Sequence, residues 1–257
     1  MTHLEPSFSV NVDVTNPGQF FACCGLLELA SRFWPSAEVE AWFGNSAFHL
    51  TAPDSGEIVL KSLLGQLQGS DIATDNSRGE HATHPVRLSD FGITLDWWTT
   101  ERGEKTLLKL WAGQQTPERI ITDLRSALAQ LTTVVNAADL FDAGMPLTGR
   151  FGVDPRAAWN ALDVGFSPNE QGMEVLTFPA VELLASVGLQ RFRPVQDGNY
   201  GFSYATWTIP LRVPVARAAS ANLIPAGNTQ TFRFRIAMRG NYKGFDFATL
   251  VGDKHEQ

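Results

Sequence analysis

The sequence predicts an α+β protein, built from one or two ferredoxin-like modules in which mainly antiparallel sheets pack on helices. Short segments of alternating apolar and polar residues indicate strands. Two strongly apolar segments begin at prolines, which suit the first position of a helix. Strands and helices come in mixed order along the 257 residues, and this order fits modules of that kind.

The first elements belong to a predicted N-terminal α+β domain, residues 1–140. Phe and Val alternate with polar residues from Phe8 to Val14, which indicates a strand. Asn16-Pro17 then begins a helix over 17–34, because asparagine caps the first amides and proline suits the first helical position. Apolar side chains cover most of this helix, so we expect it to be buried between layers.

The later elements of this domain follow from the same periodicities. We predict an amphipathic helix at 57–68 and a polar loop at 70–85. A strand follows at 86–98, with a slip near Asp90, and a further strand at 107–111. A second clear helix begins at Thr116-Pro117. The adjacent Cys23 and Cys24 cannot form an ordinary disulfide, and we expect both to be small buried hydrophobic residues.

Beyond residue 140 the chain becomes rich in Gly and Pro, and we place a domain boundary there. Residues 141–257 are predicted to form a domain that is loop-rich at first and then β-rich and basic. Phe178-Pro179 begins a short helix that ends near Gly188. Two prolines confine residues 207–215 to an edge strand or to bulges.

The two apolar helices share a pattern. Pro17 precedes Gly25 by eight residues, and Pro179 precedes Gly188 by nine. A duplicated β-α unit would explain this shared spacing. Chance would explain it as well, because helices that start at proline and are ended or interrupted by glycine are common.

Positive charge is segregated toward the C-terminal part of a chain whose formal net charge is −7. Eight basic residues and one acid lie between Gln190 and Phe245. The strand predicted at 231–239 alternates strictly, with Phe232 and Phe234 on one face and arginines on the other. A guanidinium row of this kind suits a polyanion, because arginine binds phosphate through two parallel hydrogen bonds.

This charge pattern defines a candidate nucleic-acid-binding set. Its members are seven of the eight basic residues and a neighbouring tyrosine: Arg191, Arg193, Arg212, Arg233, Arg235, Arg239, Tyr242 and Lys243. Further aromatic residues nearby in sequence would stack on bases, as single-strand recognition usually requires. The alternative is a solvated sheet face whose arginines pair with the acidic remainder of the chain.

Signatures of catalysis are scarce, so we predict no enzyme, no metal and no cofactor. The chain lacks the common hydrolase, zinc and dinucleotide motifs. A metal-independent ribonuclease would need His49, His81 or His84 to act with Tyr242 and Lys243. A Mg²⁺ site would need the carboxylates of one loop-rich region, which are Asp154, Asp163, Glu170 and Glu174.

The cellular location follows from two further features. No apolar stretch approaches the length of a membrane span, and the N-terminal residues lack the basic and apolar regions of a signal peptide. We therefore expect a cytoplasmic protein that does not associate with a membrane.

Five strings are too particular to be generic core sequence. They are N-P-G-Q-F-F-A-C-C-G-L-L-E-L at 16–29, P-V-R-L at 85–88 with L-D-W-W at 95–98, W-A-G-Q-Q at 111–115, G-R-F-G-V-D-P-R at 149–156 and W-N-A-L-D-V-G-F-S-P-N at 159–169. Together with residues 179–194, they resemble a protein family encoded in type I-G CRISPR–Cas operons, formerly called type I-U or Dpsyc.

The resemblance implies a role in antiviral, RNA-guided interference with DNA. The implied partners are crRNA or target DNA, the backbone and large subunits of the effector complex, and the helicase–nuclease. In such systems base pairing reads sequence, while protein supplies positive channels and docking surfaces. We therefore predict a docking loop composed of Trp111, Gln114, Gln115, Arg150, Arg156, Trp159, Asn160 and Asn169.

Three functions remain open at this point. The first is a non-catalytic effector subunit or accessory that contacts nucleic acid through the arginines, and we favour it. The second is an enzyme, either a metal-independent ribonuclease that processes crRNA or a metal-dependent nuclease. The third is a pure protein adaptor that links the helicase–nuclease to the effector.

Overall fold

A computed structural model describes residues 5–54, 56–111, 115–131, 136–157, 175–239 and 242–252. The helices are α1 (Pro17–Phe33), α2 (Glu57–Gly69), α3 (Pro117–Leu131), α4 (Pro179–Arg191) and α5 (Val213–Ser220), with a 3-10 turn at His81–Thr83. The strands are β1 (Phe8–Asn11), β2 (Ala41–Gly44), β3 (Ala47–Leu50), β4 (Ile72–Thr74), β5 (Val86–Leu88), β6 (Ile93–Leu95), β7 (Met145–Leu147), β8 (Val175–Thr177), β9 (Val195–Asp197), β10 (Gly201–Ala205), β11 (Thr231–Arg239), β12 (Tyr242–Phe245) and β13 (Thr249–Leu250).

The sheets are small and antiparallel, which confirms the predicted α+β class. One sheet has the order β1-β3-β2, a second has the order β12-β11-β10-β9 with β13 beside β11, and the others are β4-β5-β6 and β7-β8. Because β3 runs antiparallel to both of its neighbours, β1 and β2 are parallel, with α1 connecting them. This is a split β-α-β unit. The next strand in sequence, β4, pairs with β5 and does not extend this sheet.

Most predicted elements are confirmed, and three need correction. The predicted polar loop at 70–85 contains strand β4 and the 3-10 turn. The slip near Asp90 is the turn between β5 and β6. Residues 107–111 do not form a strand. Just before them, Lys105 forms an isolated bridge with Thr99. The segment 207–215 meets the edge of β2 at isolated points and becomes helix α5 at Val213. Pro214 fits there because the first turn of a helix does not need its amide.

Helices α1 and α4 lie at the centre of the molecule and touch through their backbones. A Cβ atom on Gly25 would overlap the carbonyl oxygen of Leu184, and one on Gly188 would overlap the carbonyl oxygen of Phe21. The two glycines also face each other. The glycine that the two helices share in their sequence pattern therefore has a physical cause, because each helix needs a residue without a side chain at the crossing.

The first and the second sheet both pack on α1. The ring of Phe20 stacks on Phe43 of the first sheet at 5.4 Å and on Tyr204 of the second at 4.1 Å. The buried apolar residues form one core that continues across the predicted boundary near residue 140. Cys23 and Cys24 are free and fully buried, as predicted, and burial raises the pKa of both thiols. Within the described residues, no helix is long and apolar enough to cross a membrane.

We expect Gly188→Ala to lower the free energy of unfolding by about 3 kcal/mol or more. The added methyl group would meet backbone atoms of α1, which cannot rotate away as a flexible side chain can. Chemical denaturation monitored by circular dichroism measures the change.

Gly65→Ala is the matched control, because Gly65 lies inside α2 with nothing within 4 Å of a built Cβ. Alanine there should stabilise the protein by about 0.5–1 kcal/mol. Equal effects of the two substitutions would contradict the tight crossing of α1 and α4.

Candidate nucleic-acid interface

The open face of the second sheet carries the centre of the predicted arginine row. Phe232 and Phe234 of β11 are buried, while Arg233 and Arg235 between them are exposed. The buried side packs on α1, where Phe234 meets Phe21 at 6.2 Å. The strict alternation of the sequence therefore places these two guanidinium groups on the solvent side.

The neighbours of these arginines on the open face are small. Arg233 lies opposite Ser203, and Arg235 lies opposite Gly201 on β10. Arg233 forms an ion pair with Asp197 of β9, and both side chains are about half exposed. No acidic side chain of the described residues forms an ion pair with Arg235. We call Arg233 and Arg235 the arginine face.

Three other predicted arginines do not extend this face. Arg191 pairs with the buried Glu28 of α1 at 3.1 Å. Arg193 lies 3.5 Å from Asp96, and Arg212 pairs with Glu38 and Glu40 near β2. Charge that is segregated along the chain is thus partly neutralised by the folded protein's own acids. The expected single row is corrected to a smaller surface.

Of the last three residues of the predicted set, Lys243 lies on the side of the sheet opposite the arginine face. Lys243 pairs in register with Met238, and this position falls on the side of Phe234 and Ile236 rather than on the arginine face. The backbones of Arg239 and Tyr242 pair with each other, and their side chains lie outside the described part of the structure. Lys243 therefore does not extend the arginine face.

Three of the strings that carry the family resemblance meet in one aromatic cluster. Trp97, Trp98, Trp111 and Phe151 are all buried. Phe151 stacks on Trp98 at 5.7 Å and meets Trp111 edge-on at 5.4 Å. The indole nitrogens of Trp98 and Trp111 donate to the carbonyl oxygens of Thr83 and Ala82. These residues build the core beneath the 3-10 turn.

The predicted docking loop is corrected accordingly. Trp111 and Arg150 are buried and cannot meet a partner at the surface. The side-chain amide of Gln115 donates to the carbonyl oxygen of Thr148. Arg156 binds Asp154 and Asp142 and lies 3.6 Å from the centre of the Phe178 ring. The other predicted members, Gln114, Trp159, Asn160 and Asn169, fall outside the described residues.

The segment after Arg150 is held by a buried carboxylate that the sequence did not single out. Glu182 of α4 accepts hydrogen bonds from four consecutive backbone amides, those of Phe151, Gly152, Val153 and Asp154, at 2.8–3.1 Å. No local sequence pattern predicts these hydrogen bonds, because 28 or more residues separate Glu182 from the amides that it binds. It fixes the backbone of residues 151–154 against α4.

A second buried carboxylate joins the same segment to α1. Asp154 accepts a hydrogen bond from the side-chain amide of Asn16 at 3.0 Å, and Arg156 donates to it through Nε and Nη2. The other end of the Asn16 amide caps α1 by accepting from the backbone of Gln19. One loop thus binds the N-terminal ends of both central helices.

The pKa of Glu182 depends on two opposing effects. Burial raises the pKa of Glu182 to about 7, while the backbone amides and Arg150 oppose that rise. In the unfolded chain the same carboxyl titrates near pH 4.5. Between these pH values the folded state retains a proton that the unfolded state has lost, so this group's contribution to stability falls as the pH rises.

We therefore predict that Glu182→Gln changes how stability depends on pH. Relative to the Gln variant, the wild type should lose about 2 kcal/mol of unfolding free energy between pH 5 and pH 8. Urea unfolding of both proteins at several pH values measures the difference, and groups common to both cancel. A difference that stays constant across this range would contradict the raised pKa.

Of the residues considered above for an enzymatic site, the structure describes the three histidines and Asp154. His81 and His84 lie close, with ring centres 5.9 Å apart, but His49 lies in the first sheet and contacts Ser9 and Gly44. Among the described residues, no group of three or more His, Cys, Asp or Glu side chains could hold a metal ion. Asp163, Glu170 and Glu174 are not described.

A groove of about 690 Å³ lies where β1, the β2–β3 turn and residues 206–230 meet. Its lining includes Asp13 and Asp142 together with several amides and hydroxyls, and no basic residue of the described ranges lines it. This lining does not suit a phosphate backbone, so the groove is separate from the candidate interface.

No protein-family model, curated protein sequence or solved structure matches this chain.

Proposed function

We propose that the protein is a non-catalytic subunit or accessory of a type I-G CRISPR RNA-guided effector complex in antiviral DNA interference. In this proposal the arginine face contacts the phosphates of crRNA or target DNA, in the cytoplasm. The observation that carries the proposal is the exposed pair Arg233 and Arg235 on the open face of a sheet whose other face is core. The first sheet would belong to a ferredoxin-like module.

The shape of the face supports contact with a nucleic-acid backbone. Gly201 and Ser203 lie across from the two arginines on β10. Because glycine has no side chain and serine has a small one, little side-chain volume covers the sheet between β9 and β11. A guanidinium group can bind a phosphate through two parallel hydrogen bonds, and two such groups two residues apart on one strand lie roughly 7 Å apart. That spacing approximates the distance between successive phosphates of an extended single strand.

The acidic remainder of the chain restricts where a polyanion can bind. A protein of net charge −7 repels nucleic acid over most of its surface. Productive contact is therefore limited to local basic regions, which orients the subunit on its ligand. This behaviour suits a component of an assembled complex better than an independent, non-specific binder.

Replacing Arg233 and Arg235 together with Ala should flatten the dependence of log affinity on log salt by about 1.5 units. Each neutralised phosphate contributes about 0.7 to that slope on a single strand and about 0.9 on a duplex. Fluorescence anisotropy with a labelled single-stranded RNA and a DNA duplex, at several salt concentrations, gives the slope.

Arg212→Ala is the matched control, since Arg212 is exposed and basic but pairs with Glu38 and Glu40 away from the arginine face. It should leave the slope unchanged. If the control and the double variant behave alike, the arginine face does not contact nucleic acid.

Asp197→Asn should tighten binding several-fold. The carboxylate of Asp197 pairs with the guanidinium group of Arg233, and a phosphate that binds there must displace this carboxylate. The amide removes that competition together with one negative charge near the site. Affinity is measured in the wild type, in Asp197→Asn and in the same change made on Arg233→Ala. A gain that persists without Arg233 would show that Asp197 acts only through general repulsion.

A protein adaptor is the second candidate. It is favoured by the internal ion pairs of Arg191, Arg193 and Arg212 and by a groove with an acidic lining. Its partners would be the effector backbone, the large subunit or the helicase–nuclease. Co-purification with those subunits that survives nuclease treatment, without binding to free nucleic acid, distinguishes this role from the first.

A further inference from the structure

The groove beside the β2–β3 turn has the size of a ligand site and a lining of hydrogen-bonding side chains. Its volume of about 690 Å³ lies within the range that is typical of binding clefts. The lining includes the carboxamides of Asn11, Asn45, Asn228 and Gln230. Each carboxamide offers both donors and an acceptor. A ligand that carries both kinds of group along its length would therefore be complementary to this surface.

A further carboxamide of the lining, that of Gln19, is buried and only partly paired. The residue is 4% exposed, and its Oε1 atom accepts a hydrogen bond from the backbone amide of Asp13 at 2.7 Å. Within the described residues, nothing accepts a hydrogen bond from its Nε2 atom. Buried donors in proteins nearly always have an acceptor. Because Gln19 lines the groove, a ligand in the groove can supply that acceptor.

Negative charge in the groove determines the charge of a suitable ligand. Asp13 lines the groove, and its Oδ1 atom accepts from the backbone amide and the hydroxyl of Thr15 at 2.9 and 2.6 Å. Its Oδ2 atom has no such donor among the residues that the structure describes. Asp142 also lines the groove and pairs with Arg156 at 3.0 Å, but 66% of its side chain is exposed. Two carboxylates without a basic residue in the described lining attract a cationic group.

A second, more open depression continues the groove. It measures about 480 Å³, and Asn228 lines both. Its lining includes Leu223, which at 76% is more exposed than any other large hydrophobic residue of the described ranges. A ligand that reaches both depressions has to carry cationic, polar and apolar groups in succession. An extended peptide does so, whereas a compact small molecule fills one depression only.

We propose that the groove binds an extended basic peptide segment of a partner protein. In this arrangement a lysine or arginine of the peptide approaches Asp13 and Asp142. A carbonyl oxygen of the peptide backbone accepts the hydrogen bond from Gln19, and an apolar side chain covers Leu223. Charge complementarity of this kind favours a basic partner and disfavours an acidic or phosphate-bearing one. The inference gives a partner chemistry to the adaptor role and does not rest on the arginine face.

The test is a titration with three labelled nonapeptides that differ in charge. Each repeats one tripeptide, which is Gly-Arg-Leu, Gly-Gln-Leu or Gly-Glu-Leu, and fluorescence anisotropy gives its affinity for the full chain. The basic peptide should bind about fivefold more tightly than the neutral one, or better, because it forms ion pairs with the carboxylates. The acidic peptide should not bind. Equal affinities of the basic and the neutral peptide would overturn the proposal.

Substitutions of Gln230 test whether the peptide lies in the groove. The side chain of Gln230 is exposed and makes no hydrogen bond with a described residue, so a charge can be introduced there without the loss of a contact. Gln230→Lys should weaken the basic peptide about three- to fivefold, and Gln230→Glu should strengthen it by a similar factor. Ser62→Lys is the matched control, because it adds the same charge at an exposed position of α2, outside the groove lining. It should leave the affinity unchanged.

Two further measurements locate the peptide within the groove. In protein labelled with ¹⁵N at glutamine side chains, the basic peptide should shift the amide signal of Gln19, which is assigned by its loss in Gln19→Met. Leu223→Ser should weaken the Gly-Arg-Leu peptide several-fold and leave a Gly-Arg-Gly peptide unaffected, since only the former has an apolar side chain to cover that position.

Either of two other outcomes would contradict the inference. One is an equal loss of affinity in Gln230→Lys and Ser62→Lys, because the peptide would then bind the acidic surface in general. The other is a Gln19 signal that does not move at saturating peptide. The variant with both Arg233 and Arg235 replaced by Ala should bind the basic peptide as the wild type does, so failure here is distinguishable from failure of the proposed function.

Discussion

The direct contact between the backbones of α1 and α4 is the constraint on which the rest of the structure depends. Two helices can approach this closely only where neither carries a side chain at the crossing, and Gly25 and Gly188 meet that condition on both. The close approach lets α1 present Phe20 to the first and the second sheet at once. The sheets from the two ends of the chain therefore share one hydrophobic core.

The segment around Asp154 completes this centre with polar contacts. It belongs to no sheet, so its backbone amides need other partners, and Glu182 supplies four acceptor contacts. Asp154 in turn binds Asn16 at the start of α1. A substitution in this network leaves a buried polar group unsatisfied, which costs more than the lost hydrogen bond itself. This network gives a structural role to Asn16, Asp154 and Arg156, which lie in the strings that carry the family resemblance.

Local features of the fold were predictable from the sequence, and most long-range features were not. Asn16-Pro17 and Pro179 mark helix starts, and the alternation of residues 231–239 marks a strand, because these signals depend on near neighbours alone. Trp111 was assigned to a docking surface because a motif does not reveal its burial.

The distribution of charge shows why the candidate site is smaller than the sequence suggested. Folding brings Arg193 to Asp96 and Arg191 to Glu28 across large separations, which uses basic residues to neutralise internal acids. Even Arg233 keeps a partner in Asp197. Binding of a phosphate there exchanges one anion for another, and the net gain per contact is small. High affinity would then require several such contacts made together, and a subunit held in place by neighbours in a complex can make them where an isolated protein cannot.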